Sequence, residues 1–263
     1  EYAEVLGEIS KKYYTICVAG THGKTTTTAM LSLILIKAGL DPTVIVGTNL
    51  KEFGKKNFYK GSSKAPRNFR KPLLILEADE WQASFLNYKP DALILTNIEE
   101  EHLDYYRNFE HIIETFRNFI KQIKPNGLLI LNHDNKGISK LNISKLRPDI
   151  KSSFYSIKHG AKKIKAALQI PGKHNLSDAL AAYTLARAIG VDSETCLKTL
   201  GLYKGAWRRL ETKRIIFSSP QRKITIINED PSETILIISE FIEVSFFFSS
   251  LRCFSHNSKY SFL

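Results

Sequence analysis

Tyr14-Thr15-Ile16-Cys17-Val18-Ala19-Gly20-Thr21-His22-Gly23-Lys24-Thr25-Thr26-Thr27-Thr28 is the stretch on which the reading of this chain turns. Its first six residues are rich in β-formers and end at a glycine, which predicts a buried strand. Beyond Gly23 the period becomes helical: Met30, Leu31, Ile34, Leu35 and Ala38 share one face, Gly39 is placed to cap the carboxyl end, and Pro42 stops continuation. A strand, a glycine turn, Gly23-Lys24-Thr25 and a helix is the order that phosphate binding needs. Backbone N–H groups at the helix start point at the phosphates, and the helix dipole favours their charge. Lys24 would reach the terminal phosphates and the Thr25 hydroxyl would help hold Mg²⁺. The common eight-residue pattern is incomplete, because Val18 stands where its first glycine would be. A glycine turn with an incidental lysine is the bland alternative, and the flanking strand and helix weigh against it.

Outward from this stretch, apolar runs alternate with helical patterns as α/β folds require. Thr43-Val44-Ile45-Val46, Leu73-Leu74-Ile75-Leu76, Ala92-Leu93-Ile94-Leu95 and Leu128-Leu129-Ile130-Leu131 read as further strands. A helix with Phe109, Ile112, Ile113, Phe116 and Ile120 inward precedes the last of them. The fold class expected is α/β, a mostly parallel sheet with flanking helices, with ligands beyond the carboxyl ends of the strands. From Ile170 the character changes. Pro171-Gly172-Lys173-His174-Asn175 opens a helix rich in Ala and Leu that ends at Gly190, and a second helix runs from Ser193, as N-cap, to about Leu200. Arg214 to Phe217 and Lys223 to Ile227 read as strands. The segment from about Phe241, dominated by Phe and Ser, has neither the strand nor the helix period.

The chain has 263 residues, 43% of them hydrophobic, enough for a real core. No run approaches the roughly 18 apolar residues of a membrane helix, and the start lacks the plan of a signal peptide. Cys17, Cys196 and Cys253 are far apart and show no metal or redox spacing, as expected of reduced thiols in a cytoplasmic protein. The net charge of +12 raises nucleic acid as a partner. Much of that charge lies between Lys51 and Lys71, a stretch rich in Lys, Gly and Ser that reads as a solvated loop. An anionic nucleotide or sugar-nucleotide suits a basic surface as well.

Two acidic stretches follow strands and therefore face the same sheet edge as the loop. Glu77-Ala78-Asp79-Glu80 comes after the third strand, and Asn97-Ile98-Glu99-Glu100-Glu101-His102-Leu103-Asp104 after the fourth. Mg²⁺ prefers oxygen ligands, so Glu77 is the natural candidate; His102 taken alone reads as a surface or helix-start residue. The acidic cluster taken alone also reads as a solvated turn.

Four motifs then occur in order: Gly20-Thr21-His22-Gly23-Lys24-Thr25-Thr26-Thr27-Thr28, Glu77-Ala78-Asp79-Glu80, Thr96-Asn97-Ile98 with His102-Leu103-Asp104, and Pro171-Gly172-Lys173-His174-Asn175. In this order they resemble the Mur ligases of peptidoglycan synthesis, from about residue 1 to Glu211. His22, Asp41-Pro42-Thr43 and Ser84-Phe85-Leu86 fit the family's alanine-adding branch. The resemblance implies an ATP-dependent ligase that activates a carboxylate of UDP-N-acetylmuramate as an acyl phosphate, which the amine of L-alanine attacks. It implies ATP and Mg²⁺ as cofactors. Gly20, Thr21, His22, Gly23, Lys24, Thr25 and Thr26 would bind nucleotide, Asn175 would lie on the adenine side, and Arg209 would contact nucleotide phosphate. Thr25, Glu77 and His102 would hold metal, and Lys24, Glu77 and His102 would serve catalysis. A ligase that recycles murein peptide and a non-catalytic nucleotide-binding remnant are the alternatives. Such chemistry asks mainly for positioning and charge neutralisation.

The family pattern is broken in places. Glu101 stands where the family usually has Asp, Asp178 where it normally has Asn, and Arg117 in the region where some siblings carry a carbamylated lysine. The resemblance divides the chain into a linker at 1–12, a central ATP-binding domain at 13–209, and a truncated or frameshifted remnant of the C-terminal domain at 210–263. The family's N-terminal domain for the UDP-sugar and most of its domain for the amino acid are expected to be missing.

Overall fold

Tyr14–Ala19 forms β1, the central strand expected, with Ile16, Cys17, Val18 and Ala19 fully buried. It lies between β4 (Leu73–Glu77) and β5 (Ala92–Leu95), parallel to both. Strand β2 (Thr43–Leu50) extends the sheet beyond β4, and β6 (Leu128–Asn132) and β7 (Lys151–Tyr155) extend it beyond β5, all in parallel. Strand β3 (Lys56–Tyr59) closes one edge antiparallel to β2, which completes a seven-stranded sheet in the order β3-β2-β4-β1-β5-β6-β7. This is the computed structural model of the chain, which describes residues 2–205 in full and, beyond them, the backbone of strands at 213–216, 223–230 and 233–238.

Side chains on successive strand residues point to opposite faces, and both faces are apolar. Ile16, Val18, Ile75, Ile94 and Ile130 join one core; Cys17, Ala19, Leu76, Leu93 and Leu131 join the other. Helices α2 (Lys24–Lys37), α7 (Lys173–Ala188) and α8 (Ser193–Leu202) contribute to the first core. Helices α1 (Tyr2–Ser10) and α3 (Phe109–Lys121) contribute to the second. Helix α3 buries Ile112, Ile113, Phe116, Phe119 and Ile120. At about 1.5–3 kcal/mol for each such side chain, burial rather than propensity holds it helical. Short helices α4 (Lys136–Ser139), α5 (Ile143–Leu146) and α6 (Lys162–Ala167) flank β7 in sequence.

Several local expectations change. Helix α2 is buried on nearly all sides, Thr25 to Ser32 included, because α7 and α8 cover the face that a two-layer packing would leave wet. Its end matches expectation: Gly39 adopts φ 74 and its N–H bonds to Ile36 O. The N-cap of α8 is Asp192, whose side chain accepts from Thr195 N at 2.8 Å, and Ser193 Oγ bonds instead to Tyr183 OH. The Lys-rich stretch contains edge strand β3, and β7 was not foreseen; both carry polar residues because an edge strand keeps one side wet. The expected linker at 1–12 contains α1, with Ala3 and Leu6 in the core.

The chain divides into two compact units, Glu1–Trp207 and Arg208–Leu263. In the second, β8 (Lys213–Ile216), β9 (Lys223–Asp230) and β10 (Glu233–Ile238) form an antiparallel sheet in the order β10-β9-β8. Strand β10 had no counterpart in the sequence reading. The Phe/Ser-rich tail and Arg209 lie outside the described residues. No helix among the described residues is long and apolar enough to cross a membrane.

Candidate functional site

The parallel register sets the carboxyl ends of three strands level: Val18 pairs with Glu77 on one side, and Ala19 with Leu95 on the other. The chain leaves β1 through Gly20 at φ 135, a region that favours glycine. A Cβ there would lie 2.1 Å from Thr96 Oγ1 and 2.9 Å from Asn97 N, so the turn is built against the end of β5. This explains Val18: it remains a buried strand residue, and the turn begins two residues later at Gly20. Asn97 pins the loop from both sides, accepting from His22 N at 2.7 Å and donating to His22 O at 3.1 Å. Thr96 Oγ1 donates to His22 O at 2.6 Å, and Thr21 Oγ1 accepts from Glu99 N at 2.9 Å. The His22 ring and the Glu99 carboxylate, 3.7 Å apart, are both more than half exposed and add little.

Gly23, at φ 80, turns the chain into α2, whose first residues are Lys24 and Thr25. Lys24 Nζ donates to Glu80 Oε2 at 2.6 Å and to Thr21 O at 3.3 Å, with Asp79 Oδ1 at 3.7 Å. Thr25 Oγ1 donates to Glu77 Oε1 at 2.6 Å, and Glu77 Oε2 accepts from Gly47 N. Thr26 is buried in the first turn of α2. His102 adopts φ 55, a conformation costing a non-glycine residue about 1–3 kcal/mol, and its carbonyl accepts from Tyr105 N and Tyr106 N. Its Nε2 lies 3.7 Å from Glu80 Oε1 and 4.0 Å from Glu101 Oε2. Gln82 and Ala83, beside Glu80 in sequence, also have positive φ.

The structure therefore brings Glu77 to Thr25, and His102 to Glu80 and Glu101, on either side of Lys24 in the hydrogen-bond pattern. Among the described residues the group with metal-ligand spacing is Glu80, Glu101 and His102. Burial pushes the Glu80 carboxyl up, against the pull of Lys24. Asn175 sits in the first turn of α7, buried, with Nδ2 donating to Pro171 O at 2.5 Å. Asp178, one turn further along α7, packs against the Gly23 position. Arg117 is engaged on α3 by Glu110 and Glu114 and donates to Lys140 O. Asn97, Thr96 and Glu80 lie in the sequence motifs, but only their contacts in the fold give them a role. A cleft of about 700 Å³ lined by Tyr14, Arg70, Lys71, Asp91 and Lys151 lies at the opposite, amino-terminal edge of the sheet and shares none of these groups.

A parallel sheet, a glycine turn at the end of its central strand, and a lysine and threonine opening the next helix define a phosphate-loop α/β domain. Residues 18–167 match the Mur ligase middle domain, and the chain belongs to the Mur ligase family. It is 38% identical over 233 residues to the UDP-N-acetylmuramate–L-alanine ligase of Caldicellulosiruptor bescii, covering 80% of this chain and 49% of that one. It is 33% identical over 243 residues to the enzyme of that name from Borrelia garinii subsp. bavariensis, covering 92% of this chain and 46% of that one. The chain thus spans about half the length of the curated relatives it matches. Among solved structures, UDP-N-acetylmuramate:L-alanyl-gamma-D-glutamyl-meso-diaminopimelate ligase from Neisseria meningitides superposes with a TM-score of 0.65 at 26% identity, covering 78% of this chain and 71% of that one. A Thermotoga maritima MurF ligase in complex with ADP shares the fold, with a TM-score of 0.57 at 19% identity, covering 80% of this chain and 53% of that one.

Proposed function

We propose that the chain binds ATP at Gly20–Thr25 and supplies the ATP-binding part of a ligase that joins L-alanine to UDP-N-acetylmuramate in peptidoglycan-precursor synthesis, in the cytoplasm. The observation that carries this reading is the start of α2, where Lys24 and Thr25 meet the carboxylates of Glu80 and Glu77 at the end of β4. The relatives named for that reaction support the substrates, and the ADP complex of a fold neighbour supports the nucleotide.

In this reading the N–H groups of the loop and the amino end of α2 face the phosphates, and Lys24 neutralises their charge. Thr25 and Glu77 offer two hard oxygen donors 2.6 Å apart, a donor set that suits Mg²⁺. Bound there, Mg²⁺ would offset charge on the phosphates during transfer to the substrate carboxylate. His102 is the further metal ligand, and Asn175 lies on the adenine side. Asn97 and Thr96 keep the His22 backbone in place, so the loop is organised before substrate arrives.

Equilibrium ATP binding with Mg²⁺ tests the assignment on wild type and Lys24→Ala. Loss of at least about a hundredfold in affinity, about 2.7 kcal/mol, is expected for the variant; equal affinity would refute it. The 263-residue chain alone is expected to form little UDP-N-acetylmuramoyl-alanine. Robust turnover by it would overturn the view that it supplies mainly the ATP site. A murein-peptide-recycling ligase, as the Neisseria structure is named, is the second reading. It is told apart by which amino substrate drives ATP consumption in the complete enzyme.

A further inference from the structure

Glu80 lies behind the phosphate loop with only 3% of its surface exposed, and its two carboxylate oxygens have unlike surroundings. Oε2 accepts the 2.6 Å bond from Lys24 Nζ. Oε1 is buried without a hydrogen-bond partner among the described residues and faces His102 Nε2 at 3.7 Å. Donor atoms of Glu80, Glu101 and His102 fall within 4.8 Å of one another. Ligands held about 2.1 Å from one ion lie roughly 3–4 Å apart, so a small movement makes this a cation site. A buried carboxylate oxygen without a donor is costly, and its presence calls for a ligand that arrives later.

Lys24, bonded to the other oxygen, links Glu80 to the phosphate loop. Without nucleotide, the lysine is the positive charge paired with the buried Glu80 carboxyl. Phosphates bound at the loop would draw Lys24 toward themselves and leave Glu80 facing anions with no compensating charge. On the reading that Gly20–Thr25 binds nucleotide, we propose that Glu80 exchanges partners. It holds Lys24 when no nucleotide is bound, and joins Glu101 and His102 around a divalent cation once phosphates take the lysine. Glu80 then acts on affinity with two signs. In the absence of metal it competes with phosphate for Lys24 and weakens binding. In the presence of metal it recruits the cation and strengthens binding. A residue that only props up the loop would weaken binding in both conditions.

The experiment measures ATP binding to the full chain in EDTA and in Mn²⁺, for wild type and Glu80→Gln, a nearly isosteric change. In EDTA the variant is expected to bind ATP several-fold more tightly than wild type. The tightening that Mn²⁺ produces should fall at least tenfold below the wild-type value. Equal weakening in both media, or no change in either, overturns the exchange. A second arm does not depend on Glu80→Gln folding. In Lys24→Met the freed Glu80 should bind Mn²⁺ without nucleotide at least tenfold more tightly than wild type, read from the free-ion signal in electron paramagnetic resonance. Equal Mn²⁺ affinity in Lys24→Met and wild type overturns it as well. Wild type that binds no ATP would sink the nucleotide assignment instead, and the Lys24→Met arm would still decide the role of Glu80.

Discussion

Replacing Gly23 with alanine strains the loop where it turns into α2. Gly23 has φ 80 and ψ −2, a left-handed conformation that costs an L-residue about 1–2 kcal/mol. Its new Cβ would lie 2.2 Å from Asp178 Oδ1 and 3.0 Å from Asp178 Cγ. The carboxylate of Asp178, which is only 5% exposed, must then turn away inside a packed interface. Forcing a buried side chain aside in this way costs about another 1–3 kcal/mol. Gly23→Ala should therefore lose about 2–5 kcal/mol, the sum of the backbone and contact costs. With Asp178→Ala already present, only the backbone part of about 1–2 kcal/mol should remain. Urea unfolding of both single variants and the double variant, followed by circular dichroism, measures the difference. ATP affinity of Gly23→Ala should fall too, because Gly23 aims the N–H groups that open α2. An identical cost in both backgrounds would show that the loop does not rest on α7, and a cost below about 0.5 kcal/mol would remove the left-handed turn as well.

Three further outcomes follow from other contacts. Thr25→Val removes the hydroxyl that meets Glu77 and should cut the Mg²⁺-dependent gain in ATP affinity by about tenfold, about 1.4 kcal/mol, while affinity in EDTA changes little; equal losses in both would contradict a metal role. The backbone bond from Thr195 N holds the Asp192 carboxyl below the usual aspartate range. Its folded pKa is the lower one, so its contribution is complete above the unfolded value and is lost as pH falls through the folded value. Asp192→Asn keeps an acceptor and should flatten the fall in thermal stability between about pH 5 and about pH 2, and an unchanged slope would count against it. Cys17 and Cys196 have no exposed surface, and burial pushes both thiols up, Cys196 to about 11. Iodoacetamide should leave both untouched in the native chain, and early labelling of either, mapped by mass spectrometry, would contradict the packing described.

The central strand, the glycine turn and the helix after it were legible in the sequence because each depends on neighbouring residues. A buried strand needs an apolar run, a left-handed turn favours glycine, and Gly39 ends α2 through contacts within the same helix. The parallel sheet followed from apolar runs separated by helices. Strands β3 and β7 were missed because edge strands such as Lys56–Tyr59 and Lys151–Tyr155 need not be apolar. Asp192 rather than Ser193 caps α8 because the choice between adjacent cap residues depends on which backbone bends out of the helix.

The site residues were legible as types, and their partners were not. Lys24 and Glu80 are 56 residues apart in the chain, Thr25 and Glu77 are 52 apart, and His22 and Asn97 are 75 apart. No local rule pairs them. They meet because parallel pairing of β4, β1 and β5 sets three strand ends level, so the loops that leave those ends converge. By itself the sequence determined that a phosphate loop and acidic groups share one sheet edge. Only the tertiary structure decided that Glu77 goes to Thr25 while Glu80 goes to Lys24 and His102. Distance and burial set the strength of a charge contact, and both are properties of the folded chain alone.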